Sequence, residues 1–118
     1  MNYHLTMDII FKTKRLEKEL NSFKKLIKKY GSKTTPFIMR RMKVLAAANS
    51  LADVPHQPPE RCHQLSGGRD EQFAVVIRDQ WRLIFVPNHE TIPRKRDGGI
   101  ELSQITAIEI IWIGDYHE

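Results

Sequence analysis

Five residues in two separated parts of the sequence have the side chains that phosphodiester cleavage requires: two imidazoles, a guanidinium, a carboxylate and a phenol. They are His63, Arg82, Asp115, Tyr116 and His117. Imidazole titrates near neutrality, so it can accept a proton from a 2′-hydroxyl or give one to a leaving 5′-oxygen. A guanidinium can donate two hydrogen bonds at once to a phosphate on which negative charge is developing. This set of residue types can therefore perform acid–base chemistry on a phosphodiester without a metal.

A sheet is needed to bring these residues together, because they lie in separate parts of the chain. Residues 73–77 and 81–86 predict two β-strands, since β-branched and aromatic residues dominate both runs. With 79–80 as a two-residue loop, Arg82 would pair with Ile77, and the alternation of side chains along a strand puts Arg82 on the open face of the sheet. The same register puts Val76 on the opposite face, where helices can cover it.

The clearest strand comes later, over residues 107–113, where both faces are apolar apart from Glu109. A strand that is apolar on both faces is typical of the interior of a sheet. Ahead of it, residues 87–106 form a polar insertion that we expect to be a loop. Its basic residues could contact phosphate or could simply keep the loop solvated; they are Arg94, Lys95 and Arg96.

Two helices are predicted before the sheet, with a short β-prone run at 7–11 ahead of them. The first would begin after a Thr13 cap and end at Gly31, because apolar residues recur at spacings of three and four between these positions. Those apolar residues are Leu16, Leu20, Phe23, Ile27 and Tyr30. The second helix would begin near Thr35, with Pro36 in a first turn where its missing N–H costs little. The short link between them predicts an antiparallel helical hairpin.

Length and composition predict one globular domain over residues 1–118, with 41% apolar and 28% charged residues. The formal net charge of +5 favours polyanionic partners, nucleic acid first, although a merely basic globular protein has the same balance. The single cysteine, Cys62, excludes an internal disulfide and suits a reducing cytosol. No run approaches the roughly 20 apolar residues of a membrane span, and the N-terminus has no signal pattern, so we expect a cytoplasmic protein without membrane contact.

The joint pattern of these motifs resembles the HigB-type toxins of the RelE/ParE superfamily, a group that includes the plasmid maintenance killer proteins. The matching residues are His63, Leu65, Gly67, Trp81, Arg82, Asp115, Tyr116 and His117. The resemblance covers the second half of the chain, whereas in the first half only the order of two helices before a sheet is similar. It implies an α+β fold in which an N-terminal helical hairpin packs on one face of a small, mostly antiparallel sheet.

Toxins of this kind belong to type II toxin–antitoxin pairs and cut messenger RNA on the ribosome. The resemblance therefore implies a ribosome-dependent endoribonuclease that uses neither a metal nor a cofactor. The implied partners are mRNA on the ribosome and a protein antitoxin. For HigB-type toxins the antitoxin is a HigA-like helix-turn-helix DNA-binding protein, which would neutralise the toxin and bind its own operator.

The resemblance also implies a role for each candidate residue. His63 would transfer protons, as a base or as part of a shared relay, and Arg82 would stabilise the charge on the phosphate. His117 would join the relay or contact phosphate, and Asp115 would orient or hold a histidine. Tyr116 would position the RNA, for example by stacking on a base.

Some positions are weaker candidates or depart from the family pattern. Arg69 and Arg78 could contact RNA or could be ordinary surface arginines. Many relatives have a lysine where Ser66 stands and a proline where Gln64 stands. The lysine helps to hold phosphate in those relatives, so its absence removes one cation. Basic residues of the 87–106 insertion could replace it.

Two other functions on the same fold stay open, since a fold does not determine a function. One is a non-nucleolytic inhibitor similar to the gyrase-poisoning branch of the superfamily, and the other is an inactive relative that only binds protein, for which Ser66 argues. A zinc site is not expected, because no second cysteine joins Cys62, and His56 and His63 lie seven residues apart across two prolines. Nothing in the sequence supports Cys62 as a nucleophile.

Overall fold

The structure of the protein, a computed structural model, describes residues 6–69 and 71–116. Its strands are β1 (Asp8–Phe11), β2 (His63–Gln64), β3 (Phe73–Arg78), β4 (Trp81–Pro87) and β5 (Ala107–Asp115). Its helical segments are α1 (Lys14–Leu20) and α2 (Phe23–Ala47), and short 3-10 turns cover Leu51–Asp53 and Leu102–Gln104. His117 lies outside the described residues.

Strand β5 lies inside the sheet, whose order is β1-β5-β4-β3-β2. β1 runs parallel to β5, and the other pairings are antiparallel. The prediction of an internal strand over 107–113 is confirmed. The strand continues to Asp115, however, because β4 begins at Trp81 and offers a partner there. Asp115, which lies outside the predicted strand, is therefore part of the ladder.

The two faces of the sheet are covered differently. Helices α1 and α2 lie over one face, and the main core forms between them and the strands. Its fully buried side chains include Leu26, Ile38, Leu45, Ile77, Leu83, Phe85, Ile108 and Ile110. The other face, called the open face below, has a small buried cluster of Leu65, Ala74 and Ile84 within the described residues. An α+β fold with its helices on one face of a mostly antiparallel sheet is confirmed.

A β-bulge in β3 decides which side chains share a face. Arg78 pairs with Trp81 across the predicted loop at 79–80, but the next pair is Val76 with Arg82, so Ile77 is the extra residue. The expected pairing of Arg82 with Ile77 is therefore wrong, because one inserted residue moves every earlier β3 side chain to the opposite face. Arg82 lies on the open face as predicted, but Val76 lies there beside it.

Arg41 of α2 holds this bulge in place. Its Nε donates a hydrogen bond to the carbonyl of Val76 at 2.7 Å, and its Nη2 donates to the carbonyl of Ile77 at 3.2 Å. Burial lowers the pKa of Arg41 from its ordinary value, and the nearby Glu60 carboxylate opposes that shift. A buried guanidinium thus satisfies carbonyls at the irregular part of the strand, where the regular ladder is interrupted.

The first predicted helix is wrong as a single element, because it ends at Leu20 and a new helix begins at Phe23. Ser22 causes the break: its side chain accepts a hydrogen bond from the N–H of Lys25 at 3.2 Å, so it caps α2. The interruption rotates the apolar face. Phe23, which was expected to be buried, is 57% exposed, and Leu26 at 1% takes its place in the core.

Gly31 marks the second break, inside α2, where its φ of 89° departs from helical geometry. Glycine adopts this left-handed region without the steric cost that a side chain would impose. The predicted end of the first helical run at Gly31 agrees with this kink. The second run continues directly through Thr35 to Ala47 instead of beginning near Thr35. Within 6–69 and 71–116, every helix falls short of the combination of length and apolarity needed to cross a bilayer.

The 87–106 insertion is more ordered than the expected polar loop. Ile100 and Ile105 are buried in the main core, at 5% and 0% exposure. Residue Arg94 forms a bridge with Ile100 and an ion pair with Glu71, whose carboxylate oxygen lies 2.6 Å from Nη2. Arg94 is therefore paired with a carboxylate of the same chain. It is one of the three basic residues of the insertion that could have contacted phosphate.

Candidate active site

The open face carries a cleft of about 560 Å³ that contains two of the predicted catalytic residues, His63 and Arg82. His63 pairs with Ala74 across β2 and β3, and Arg82 pairs with Val76 across β3 and β4. Since directly opposed residues share a face, these registers put both side chains on the open face. The described residues that line the cleft are His56, Gln57, Pro58, Arg61, His63, Val76 and Arg82.

The ring of His63 is held in a definite tautomer. Its Nδ1 lies 2.8 Å from the carbonyl oxygen of Arg61. A carbonyl can only accept a hydrogen bond, so Nδ1 must be the protonated nitrogen. In the neutral imidazole Nε2 is then the basic nitrogen, which is the form that a general base requires.

Arg82 is anchored through one end of its guanidinium. Nη1 donates to the carbonyl oxygens of Asp79 and Trp81 at 2.6 and 3.1 Å. The Nε atom is buried and has no hydrogen-bond partner among the described residues. Because both backbone contacts use Nη1, the Nη2 group can still donate to an anion in the cleft.

The rim of the cleft comes from the connector that precedes β2, residues 54–62. The N–H of Arg61 donates to the carbonyl of Gln57 at 3.0 Å, and the N–H of Cys62 donates to that of Pro55 at 2.9 Å. Arg61 has a φ of 45°, a left-handed conformation that turns the chain sharply at this point. The folded connector thereby brings His56 and Arg61 to the cleft beside His63.

An aromatic and basic patch lies farther along the open face. The hydroxyl of Tyr116 accepts a hydrogen bond from Arg69 at 3.0 Å, and the guanidinium of Arg69 lies 5.1 Å from the ring centroid. The ring of Trp112 meets that of Tyr116 edge-on at 6.1 Å and is 39% exposed. Trp112 also covers Gly114, where an added Cβ would lie 2.7 Å from the indole ring. Aromatic rings of this kind can stack on bases of single-stranded RNA.

Two other candidate residues lie on the opposite side of the sheet. Asp115 pairs with Trp81, so its side chain belongs to the face that the helices cover, and it is exposed at the edge. Arg78 forms an ion pair with Asp79 at 3.3 Å, and its guanidinium lies 5.5 Å from the ring of Phe37 in α2. The described residues therefore bring together His63 and Arg82, with Arg69 and Tyr116 farther along the same face.

No model of a known protein family matches this chain, and no curated protein matches its sequence. The resemblance to HigB-type toxins therefore stays a prediction, and the geometry of the open face must support any function on its own.

Three open-face residues escaped the sequence reasoning. In the sequence His56 suggests only a metal ligand, and Arg61 only begins the motif that contains His63. Trp112 is turned onto the open face by a second bulge at Ile111, since Ile84 pairs with Trp112 but Phe85 pairs with Ile110. The position of Arg61 two residues before His63 is a usable signal in the sequence, whereas the positions of His56 and Trp112 depend on loop and bulge geometry.

The remaining reactive groups are less suited to chemistry. Burial raises the pKa of the Cys62 thiol to about 12, so the nucleophilic thiolate is strongly disfavoured. Across 6–69 and 71–116, no three His, Cys, Asp or Glu side chains are grouped so that they could hold a metal ion.

Proposed function

We propose that the protein is a ribosome-dependent endoribonuclease of the RelE/ParE-like type and the toxin of a type II toxin–antitoxin pair. The observation that carries this proposal is the shared cleft of His63 and Arg82 on the open face. It combines an imidazole whose Nδ1 is held by a backbone carbonyl with a guanidinium that can still donate through Nη2. The described residues that line the cleft include no carboxylate, so those residues present no negative charge to a phosphate.

In the proposed reaction Nε2 of His63 takes the proton of a 2′-hydroxyl, and the 2′-oxygen attacks the adjacent phosphorus. The guanidinium of Arg82 donates to the phosphorane oxygens, where negative charge increases. A protonated group must then deliver a proton to the leaving 5′-oxygen. The products are a 2′,3′-cyclic phosphate and a free 5′-hydroxyl.

The aromatic and basic patch would position the RNA. Trp112 and Tyr116 offer ring surfaces for bases, and Arg69 supplies a positive charge beside them. Stacking contributes about 1–3 kcal/mol per base and tolerates different sequences. This suits a nuclease that receives its substrate as single-stranded mRNA on the ribosome, as the resemblance implies.

The test is cleavage of mRNA on programmed ribosomes by the purified protein, together with induced expression in bacteria. We expect wild-type protein to cut mRNA and arrest growth, and we expect His63→Asn to slow cleavage by roughly 10²–10⁴-fold. Asn is chosen because its side-chain N–H₂ can replace Nδ1 as the donor to the Arg61 carbonyl while Nε2 is lost. Co-expression of a helix-turn-helix antitoxin encoded beside the gene should restore growth.

The alternative functions give different results in the same assays. A non-nucleolytic inhibitor of the gyrase-poisoning kind would arrest growth with intact mRNA, and His63→Asn would leave that arrest unchanged. An inactive protein-binding relative would neither cut mRNA nor arrest growth at high levels of folded protein. Either result would overturn the nuclease proposal.

A further inference from the structure

The cleft contains a second imidazole, that of His56, to which neither the sequence pattern nor the family resemblance gives a catalytic role. His56 comes from the connector before β2, whereas His63 belongs to β2 itself. Both line the same cleft as Arg61 and Arg82. An acid–base reaction on a phosphodiester needs two proton-transfer groups on one phosphate, and a pair of histidines in one cleft meets that need.

The two rings are held in the same way and on neighbouring anchors. Nδ1 of His56 donates to the carbonyl of Cys62 at 2.9 Å, and Nδ1 of His63 donates to the carbonyl of Arg61 at 2.8 Å. The anchoring residues are consecutive, so their Cα atoms are about 3.8 Å apart. In the neutral form of each ring Nδ1 therefore carries the proton, and Nε2 is the basic nitrogen. The adjacent anchors and the shared cleft are the two observations that place both rings beside one bound phosphate.

The charges around the pair suit an anionic substrate. Arg61 and Arg82 are the charged side chains beside the two histidines among the described lining residues. One imidazole can be neutral and the other protonated while the phosphate balances the added positive charge. The His56 ring is exposed at the rim, where a departing RNA segment can leave, whereas His63 is partly buried on the sheet.

We propose that His56 is the general acid of this cleft and that it protonates the 5′-oxygen of the leaving nucleotide. The inference rests on the proposed RNA cleavage and deepens it. His63 Nε2 takes the 2′-hydroxyl proton, the bond between the 2′-oxygen and phosphorus forms, and the bond between phosphorus and the 5′-oxygen breaks. The Nε2–H of the His56 imidazolium passes its proton to that 5′-oxygen, so the enzyme ends with His63 protonated and His56 neutral. The resemblance gives His117 two possible roles, in the proton relay or in contact with phosphate. With His56 as the acid, the second role is the one that we assign to His117.

The deciding experiment compares two mRNA substrates on programmed ribosomes in single-turnover reactions with the full chain. One has an ordinary phosphodiester at the position that wild-type protein cuts, and the other has a sulfur atom in place of the leaving 5′-oxygen there. A thiolate leaves without a proton, so the second substrate does not need a general acid. His56→Asn keeps a donor for the Cys62 carbonyl and loses Nε2. We expect it to slow cleavage of the ordinary linkage by roughly 10²-fold or more and to cut the sulfur linkage at close to the wild-type rate.

Two controls separate an acid from a structural residue. His63→Asn, which lacks the base, should be slow on both substrates. His89→Gln replaces a histidine outside the cleft, whose Nε2 accepts from the N–H of Thr106 at 3.1 Å, by a side chain that can still accept, and it should match wild type on both. Equal slowing of both linkages by His56→Asn would show that His56 only positions the cleft, and wild-type rates would show no role; either result overturns the inference. Wild-type protein that cuts neither linkage would instead refute the proposed nuclease and, with it, this role.

Discussion

The helix-covered face and the open face of the same sheet differ in the kinds of side chain that they carry. The covered face is a continuous apolar core in which Leu83, Phe85 and Ile110 are fully buried. The open face has a small apolar cluster and, around it, imidazoles, guanidiniums and aromatic rings. Adjacent residues of one strand therefore have different roles: Leu83 packs in the core, and Arg82 faces the cleft. Because side chains alternate between the two faces along each strand, residues that stabilise the fold and residues proposed to act on RNA lie on different faces. Substitutions on the covered face should therefore change the free energy of unfolding, and substitutions on the open face should change the cleavage rate.

The largest expected effect is on the covered face. Leu83→Ala should lower the free energy of unfolding by about 2–5 kcal/mol, because it leaves a cavity at a fully buried position. Cleavage per folded molecule should stay near wild type, since the side chain points away from the cleft. Denaturant melts and single-turnover cleavage on the same samples measure both quantities. A stable variant with lost activity would contradict the separation of the faces.

The neighbouring residue should behave in the opposite way. Arg82→Gln should slow cleavage by roughly 10²–10³-fold, because it removes a cation that stabilises the phosphorane. Its melting temperature should change little, since Arg82 is only partly buried and its backbone contacts are with the adjacent turn. If the variant lost stability in proportion to activity, Arg82 would be a structural residue of the turn and not a phosphate ligand.

A smaller effect is expected at the residue that links the two faces. Arg41→Met should keep much of the packing but leave the carbonyls of Val76 and Ile77 without their donor, at a cost of about 1–3 kcal/mol. Cleavage should also fall, because the bulge sets the register that places Ala74, and with it the paired His63, on the same face of the sheet as Arg82. Hydrogen exchange of the β3 amides and cleavage rates report the two effects.

The matched control for Arg41 is Lys43→Met, at an exposed position of the same helix. It should change stability by under about 0.5 kcal/mol. Equal stability of the two variants would show that the bulge does not depend on the buried guanidinium.

The sequence predicts the strands and helices better than it predicts the pairing register between strands. The strands, the internal position of β5 and the open-face position of Arg82 followed from apolar patterns that bury one or both faces of a sheet. The inserted Ile77 could not be foreseen, because an apolar residue there fits either register and the carbonyls freed by the bulge are satisfied by Arg41, which is distant in sequence. The helix break had a visible cause, the capping side chain of Ser22, but the surrounding apolar spacing masked it.

For the candidate site, residue types were more informative than position along the chain. Imidazole and guanidinium chemistry pointed to His63 and Arg82, which the structure brings into one cleft. The sequence does not predict that His56 lies near His63, because the two lie seven residues apart across two prolines. Backbone hydrogen bonds at Arg61 and Cys62 fold that connector back on itself, and no local pattern predicts such a closure.

The position of β5 inside the sheet has a consequence for the time at which the fold can be completed. β1 and β4 both pair with β5, although β5 follows every other strand in the sequence. During synthesis, α1, α2 and the β3–β4 hairpin can form as they emerge, but β1 must wait for a partner about a hundred residues away. A nascent chain therefore lacks the strand that joins β1 to the rest of the sheet until β5 has left the ribosome. The sheet is therefore completed late in synthesis, and the protein reaches its folded state only after most of the chain has left the ribosome that makes it.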